Sequence, residues 1–214
     1  MTDRWSAHAQ AYRESEAHRS GADLDLLVEW AEGKTALDVA TGGGHVARRL
    51  REAGLDVVTV DPAPGMEPDV ISRAEYLPFA DGSFDLVVTR IAPHHFADVQ
   101  AAIDEMARVS GSLVLVVDNL YRDDVVEEAE RLRDPTHVRN YGEQEWRGLF
   151  AHAGLDVEAT QLVDTDIDLE AWLARAGCEG GEAERVKALL ADRVHDGRFA
   201  MTRIALKGRK RGAG

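Results

Sequence analysis

TALDVATGGGHVARR, residues 35–49, decides the fold. Residues 35–40 read as a short apolar strand with one acid, Asp38, inside it. Three consecutive glycines follow, Gly42, Gly43 and Gly44, and then a helix start. A strand, a glycine turn and a helix in this order let backbone amides approach a nucleotide-like ligand. A second strand, 56–60, runs into Asp61. Asp61 comes 61 − 42 = 19 positions after Gly42, close to the ~20 expected of a carboxylate that grips ribose hydroxyls. The two signals together imply a ligand that contains adenosine or a similar nucleoside.

Outward from this segment, strands and helices alternate. Helices are expected over 4–16 and 22–32 ahead of it and over 44–53 behind it, where Gly54 supplies a stop. Pro62, Pro64 and Pro68 lack donors, so residues 62–68 cannot hold a regular helix. Strands follow at 69–72, 84–89 (FDLVVT) and 112–117 (SLVLVV), with a helix at 99–108. The alternation implies a parallel sheet covered by helices on both faces. Beyond residue 119 the pattern changes. Helices at 123–133 and 143–153 and a strand at 157–163 come first. Helices at 169–176 and 182–194 and an alternating strand at 199–206 complete the chain.

Composition narrows the function. The 214 residues suffice for one domain with a proper core. A net charge of −14 argues against nucleic acid as a partner, because phosphates need a basic face. The one basic cluster, residues 207–211, reads as a solvated, frayed end. Cys178 is the single cysteine, so no internal disulfide forms and a reducing compartment is expected. The first ten residues have no apolar core of the signal-peptide type, and no apolar run approaches ~18 residues. A cytoplasmic location away from membranes is therefore expected.

The glycine turn by itself admits two chemistries. Residues 42–47 (GGGHVA) fit the dinucleotide pattern, which allows a nicotinamide-dependent oxidoreductase. Asp38 inside the first strand and residues 77–88 (LPFADGSFDLVV) point elsewhere. With LDVATGGG and Asp61, this run resembles the class I S-adenosylmethionine-dependent methyltransferases. The resemblance is to the broad methyltransferase type 11 group that includes the menaquinone and ubiquinone C-methyltransferases. It is strong over residues 36–119 and weaker over 133–157.

The resemblance implies a Rossmann-like α/β fold in one domain, residues 1–214. Its sheet is seven-stranded and mostly parallel, of order 3-2-1-4-5-7-6, with the last strand antiparallel and the connection after strand two shortened. Residues 1–33 are expected as an N-terminal helical cap, and 119–141 and 166–197 as helical additions near the substrate side. The expected cofactor is S-adenosyl-L-methionine, contacted by Tyr12, Asp38, Ala40, Gly42, Gly44, Asp61, Pro62, Ala74, Glu75 and Arg90. One departure bears on adenine: the family's acid before Ala74 is replaced by Arg73, a pure donor. Glu75 or a backbone carbonyl is the expected substitute.

The loop at residues 90–98 (RIAPHHFAD) resembles the His-Asp-Trp-Ser-Asp run of small-molecule O-methyltransferases, which places a general base on His94. A neutral imidazole can take a phenol or enol proton. Asp98 reads as the cap of the next helix. His95, His137, Arg139 and Tyr141 are candidate substrate contacts, whereas Trp146 and Trp172 read as core. His94, His95 and His137 with Asp118 would offer metal donors. Adjacent histidines usually diverge, however, and no ligand spacing is matched, so no metal is expected. The expected activity is methyl transfer to an O or C atom of a small molecule. The alternative is a cofactor-binding relative that transfers nothing. The expected partner is the small-molecule acceptor, with no nucleic acid and no membrane; a homodimer is left open.

Overall fold

The computed structural model describes residues 2–14 and 19–212. Helices α1 (Thr2–Glu14) and α2 (Ala22–Trp30) open the chain. Then come β1 (Thr35–Val39), α3 (His45–Glu52), β2 (Asp56–Asp61), a single 3-10 turn (Pro64–Met66) and β3 (Val70–Ile71). The centre holds β4 (Phe84–Arg90), a 3-10 turn (Pro93–His95), α4 (Val99–Val109) and β5 (Ser110–Asn119). After it come α5 (Asp124–Arg133), α6 (Glu143–His152), β6 (Leu155–Asp168), α7 (Leu169–Arg175), α8 (Gly180–Leu190) and β7 (Arg198–Lys210). Residue 16, where the first helix was expected to end, lies outside the described residues.

The sheet has the expected order, β3-β2-β1-β4-β5-β7-β6. β1 to β5 are parallel, and β7 runs antiparallel to both β5 and β6. Side chains alternate between two cores, as a sheet buried on both faces requires. Leu37, Val39, Val87, Val114 and Val116 face α4 and α6. Ala36, Leu86, Val88, Leu113 and Leu115 face α2 and α3. Trp146 and Trp172 are both buried, as read from the sequence. Asp98 caps α4 by accepting from the Ala101 amide at 3.0 Å, also as read.

β6 and β7 outrun the strands expected at 157–163 and 199–206. Their far ends carry Ile167, Phe199 and Met201, which close a third core with α5, α7 and α8. The basic cluster at 207–211 is not frayed. Residues 207–210 lie inside β7, hydrogen-bonded between β5 and β6. Lys207 and Arg209 pair with Glu32, Arg209 with Glu158, and Arg211 with Asp156. The Lys210 ammonium donates to the Ser110 carbonyl at 2.8 Å.

One buried charge group joins three elements. Asp23, in the first turn of α2, accepts from Arg90 Nε at 2.7 Å and Nη2 at 3.1 Å, and from Arg203 Nη1 at 3.1 Å. Burial works to raise the Asp23 pKa, but the two guanidiniums outweigh it and hold it below the usual carboxylate value. Asp23→Asn removes the carboxylate charge that faces both buried guanidiniums. The expected loss of stability is about 3–5 kcal/mol by urea unfolding; a loss below about 1 kcal/mol would refute this role for the triad.

Candidate functional site

β1, β2 and β4 end on the same side of the sheet, and the strand order reverses between β1 and β4. Such sheets leave a crevice at that point. The turn that forms its floor is shaped by backbone: Ala40, Gly42 and Gly44 all have positive φ, +56°, +52° and +74°. A Cβ built on Gly42 or Gly44 meets nothing within 4 Å. The glycines are thus not needed to avoid the protein itself. They serve the left-handed turn and keep the space above it open.

Two acids hold this turn. Asp38 Oδ2 accepts from the Thr41 hydroxyl at 2.6 Å and from the Ala47 amide at 3.1 Å. Asp61 accepts from the Gly42 amide through Oδ2 at 3.0 Å and from the Ala63 amide through Oδ1 at 2.9 Å. Each Asp61 oxygen keeps a lone pair for a further donor. Pro62 follows directly, and α1 lies across the turn beyond it. Trp5 and Ala9 pack with Ala63 and Met66. Gly65 has no alternative, since a Cβ there would stand 2.7 Å from the Ser6 Cα. Tyr12 falls in α1, and its side chain lies outside the described residues.

Several of the proposed cofactor contacts are occupied otherwise. The Arg90 guanidinium is committed to Asp23, so its side chain braces α2 and does not reach for a ligand. Glu75 does not stand free as an adenine acceptor. It pairs with Arg73 and accepts from the Ala97 amide at 2.9 Å, which ties it to the loop after β4. The Ala74 side chain is buried in the same core as Leu77 and Phe84.

At the far end of the crevice the 3-10 turn presents His94 and His95. Their rings do not diverge as adjacent histidines usually do. The centroids are 4.1 Å apart, because each ring is drawn to a partner. His94 Nδ1 lies 2.5 Å from Asp118 Oδ1, at the end of β5. His95 Nδ1 lies 3.1 Å from the Thr136 hydroxyl, and Trp5 of α1 meets its ring edge-on. Residues 134–141 close over this pair, with the Val138 amide donating to the His94 carbonyl at 2.8 Å. His94 is 5% exposed. Burial pushes its pKa down and that of Asp118 up, so the pair shares its protons as a unit.

The remaining substrate candidates are spread out. His137 is buried and turned toward Glu127, its Nε2 3.1 Å from Oε1, so it does not face open space. Arg139 stacks on Tyr141 and pairs with Glu145 at 2.6 Å. Tyr141 packs against Trp146. The four donors weighed for a metal do gather, with the rings of His94, His95 and His137 4.1, 5.5 and 6.4 Å apart between centroids, but their nitrogens are turned to Asp118, Thr136 and Glu127 respectively. Sequence reading missed Glu127, Glu130, Asn119 and Asn140, which lie beside this group. The available signal was the burial face of α5, where positions 126, 127, 129 and 130 fall together.

The family model described as a methyltransferase domain matches residues 37–115. An uncharacterized methyltransferase of Bacillus subtilis, YcgJ, is 32% identical over 216 residues, covering 89% of this chain and 84% of its own. The crystal structure of that protein superposes with a TM-score of 0.79 at 27% identity, covering 88% of this chain and 98% of the other. A demethylmenaquinone methyltransferase of Thermus thermophilus is 37% identical over 122 residues, 45% of this chain and 55% of its own length.

Asp38 offers a stability test of the turn. Burial raises its pKa to about 7. Folding therefore favours the protonated acid, and that contribution is present below ~4 and lost as pH rises through about 7. Asp38→Asn cannot ionise and retains an acceptor oxygen. Its urea midpoint should gain on the wild type from pH 4 to 7, by at most ~1.4 kcal/mol per pH unit, and then run parallel. A pH-independent difference would show that Asp38 ionises normally.

Proposed function

Because the chain belongs to the class I S-adenosylmethionine-dependent methyltransferases, we propose that it methylates an oxygen or carbon atom of a small molecule, with His94 as the base. The observation that carries this reading is the His94–Asp118 pair at the carboxyl ends of β4 and β5, beside the open glycine turn. The oxidoreductase reading of the glycines is set aside by the family. The likeness to a demethylmenaquinone methyltransferase covers under half of this chain, so it supports the reaction and brings no acceptor with it.

The turn fits the cofactor, since the space a Cβ would fill at Gly42 and Gly44 is free. Those two glycines and Ala40 would line the methionine part, and the free lone pairs of Asp61 would receive the ribose hydroxyls. Pro62 would give adenine an apolar border. When bound, S-adenosylmethionine supplies the electrophilic sulfonium methyl. The chain's share is alignment and exclusion of water. α1 and residues 134–141 cover the crevice from two sides, with Trp5 and Thr136 both meeting His95. With Asp118 ionised, Nδ1 of His94 carries the proton and Nε2 carries the lone pair that accepts the acceptor's proton. Asp118 then stabilises the imidazolium that forms. A cytoplasmic location is proposed with this reading. Among the described residues no helix is long and apolar enough to cross a membrane, and Cys178 is a buried free thiol.

Two variants separate binding from chemistry. Asp61→Ala should weaken S-adenosylmethionine binding at least tenfold by calorimetry, roughly the worth of charge-assisted hydrogen bonds. His94→Ala should keep cofactor affinity and lower formation of S-adenosylhomocysteine by about 10²–10⁴ with an acceptor that must lose a proton. Retained turnover in His94→Ala would remove the base. Cofactor binding with no product from any screened acceptor would favour the non-transferring alternative.

A further inference from the structure

Beside the His94–Asp118 pair lies a second cluster, on the inner face of α5. Glu127 and Glu130 stand three residues apart and project from one side of the helix. They are 4% and 3% exposed. His137 joins them from the segment that covers His94, and ligand atoms of the three residues all lie within 4.8 Å of one another. Asn119, at the end of β5, donates Nδ2 to Glu130 Oε1 at 3.0 Å. Asn140 donates its amide nitrogen to both glutamates.

The charges in this cluster do not balance. Glu127 has one full cation beside it, Arg131, whose side chain is more than half exposed. Glu130 forms no ion pair among the described residues and is held by two side-chain amides. Burying a carboxylate on neutral partners alone is among the least favourable arrangements in a protein. A second observation concerns the two amides. The Oδ1 atoms of Asn119 and Asn140 are buried with no hydrogen-bond partner, and Asn140 is only 1% exposed. Each amide has turned its NH2 toward the carboxylates. Turned over, each would offer an oxygen to the acids, an arrangement that a cation between them or a proton on one of them rewards. A cavity of ≈540 Å³, lined by Tyr121, Arg131 and Arg139, reaches Glu127 and Asn140 and gives an ion a route in.

We propose that Glu127, Glu130 and His137 bind one divalent metal cation, with Asn140 Oδ1 as a further ligand. Two carboxylate oxygens, one imidazole nitrogen and an amide oxygen are a mixed hard and borderline set. It suits Zn²⁺ or Mn²⁺ and offers nothing to a thiophilic ion such as Cu⁺. The ion ties α5 to residues 134–141 and so fixes the cover over His94. It goes beyond the methyl transfer and takes no part in it.

Chelator-stripped protein titrated with Zn²⁺ and with Mn²⁺ tests this. One ion per chain is expected, with a rise in melting temperature on loading. Glu130→Gln and His137→Asn should each weaken uptake by at least about 10–100-fold. Circular dichroism of the metal-free variants checks that they fold. If both fail to fold, the wild type decides through paramagnetic broadening of its imidazole resonances by Mn²⁺. Broadening centred on His137 and reaching His94 supports the site. Broadening confined to other histidines overturns it, as does a failure to saturate below millimolar metal. Uptake unchanged in the folded variants also overturns it, leaving the cofactor assignments untouched.

Discussion

The turn after β1 is suspended between two carboxylates, and the rest of the site follows from that. Asp38 fastens it from the strand it leaves, through Thr41 and the first turn of α3. Asp61 fastens it from the neighbouring strand, through Gly42 and Ala63. Between these anchors the backbone passes through the left-handed region at Ala40, Gly42 and Gly44. The glycines adopt it freely, while Ala40 carries strain of about 1–2 kcal/mol that the anchors must hold in place. Burial raises the pKa of both acids, opposed by hydroxyl and amide donors and, at Asp38, weakly by the charge of Arg51. The same two carboxylates thus position the second element of the crevice as well. Ala63, held by Asp61, is the residue on which α1 closes with Trp5 and Met66.

What was legible in the sequence was what local chemistry decides. β1 and β4 were found because their runs are apolar on both faces. α4 was found by its helical period, with Asp98 as its cap, and the fold brings Asp61 onto the Gly42 amide. β6 and β7 were read too short because their ends, DTDID and KGRK, look like solvated polar segments. They are strands because their charges are neutralised across long stretches of sequence. Arg198 pairs with Asp166, Arg209 with Glu158 and Lys207 with Glu32. A lone basic tail carries no trace of partners up to 177 positions away. The side chains of Arg90 and Glu75, read as cofactor contacts, are engaged by Asp23 and Arg73, residues visible in the sequence whose pairing was not. The acceptor side was least legible. His94, Asp118, Glu127 and His137 come from four elements, and only tertiary structure brings them together.

The sheet buries charge in two adjacent places and treats it in two ways. Arg203 on β7 stands opposite Asn119 on β5, and Ile204 stands opposite Asp118. On one side of this register Asp23 lies between two guanidiniums, with its charge compensated in place. On the other side Asp118, Glu127, Glu130 and Asp134 are buried mainly among imidazoles, hydroxyls and amides, with Arg131 paired to Glu127 and Arg133 acting on Asp134. The first arrangement needs nothing more and ties α2, β4 and β7 into a rigid block. The second leaves negative charge and orphaned oxygens beneath the segment that covers His94. Such charge draws protons to the neighbouring histidines or draws a cation from outside. Burial pushes the pKa of His94 and His95 downward, which argues against the first response. Protonation of an acid, which burial favours at Asp118, is one answer to that charge; a cation from outside is the other, and the site proposed for it is set by the two acids of α5 and the imidazole of His137.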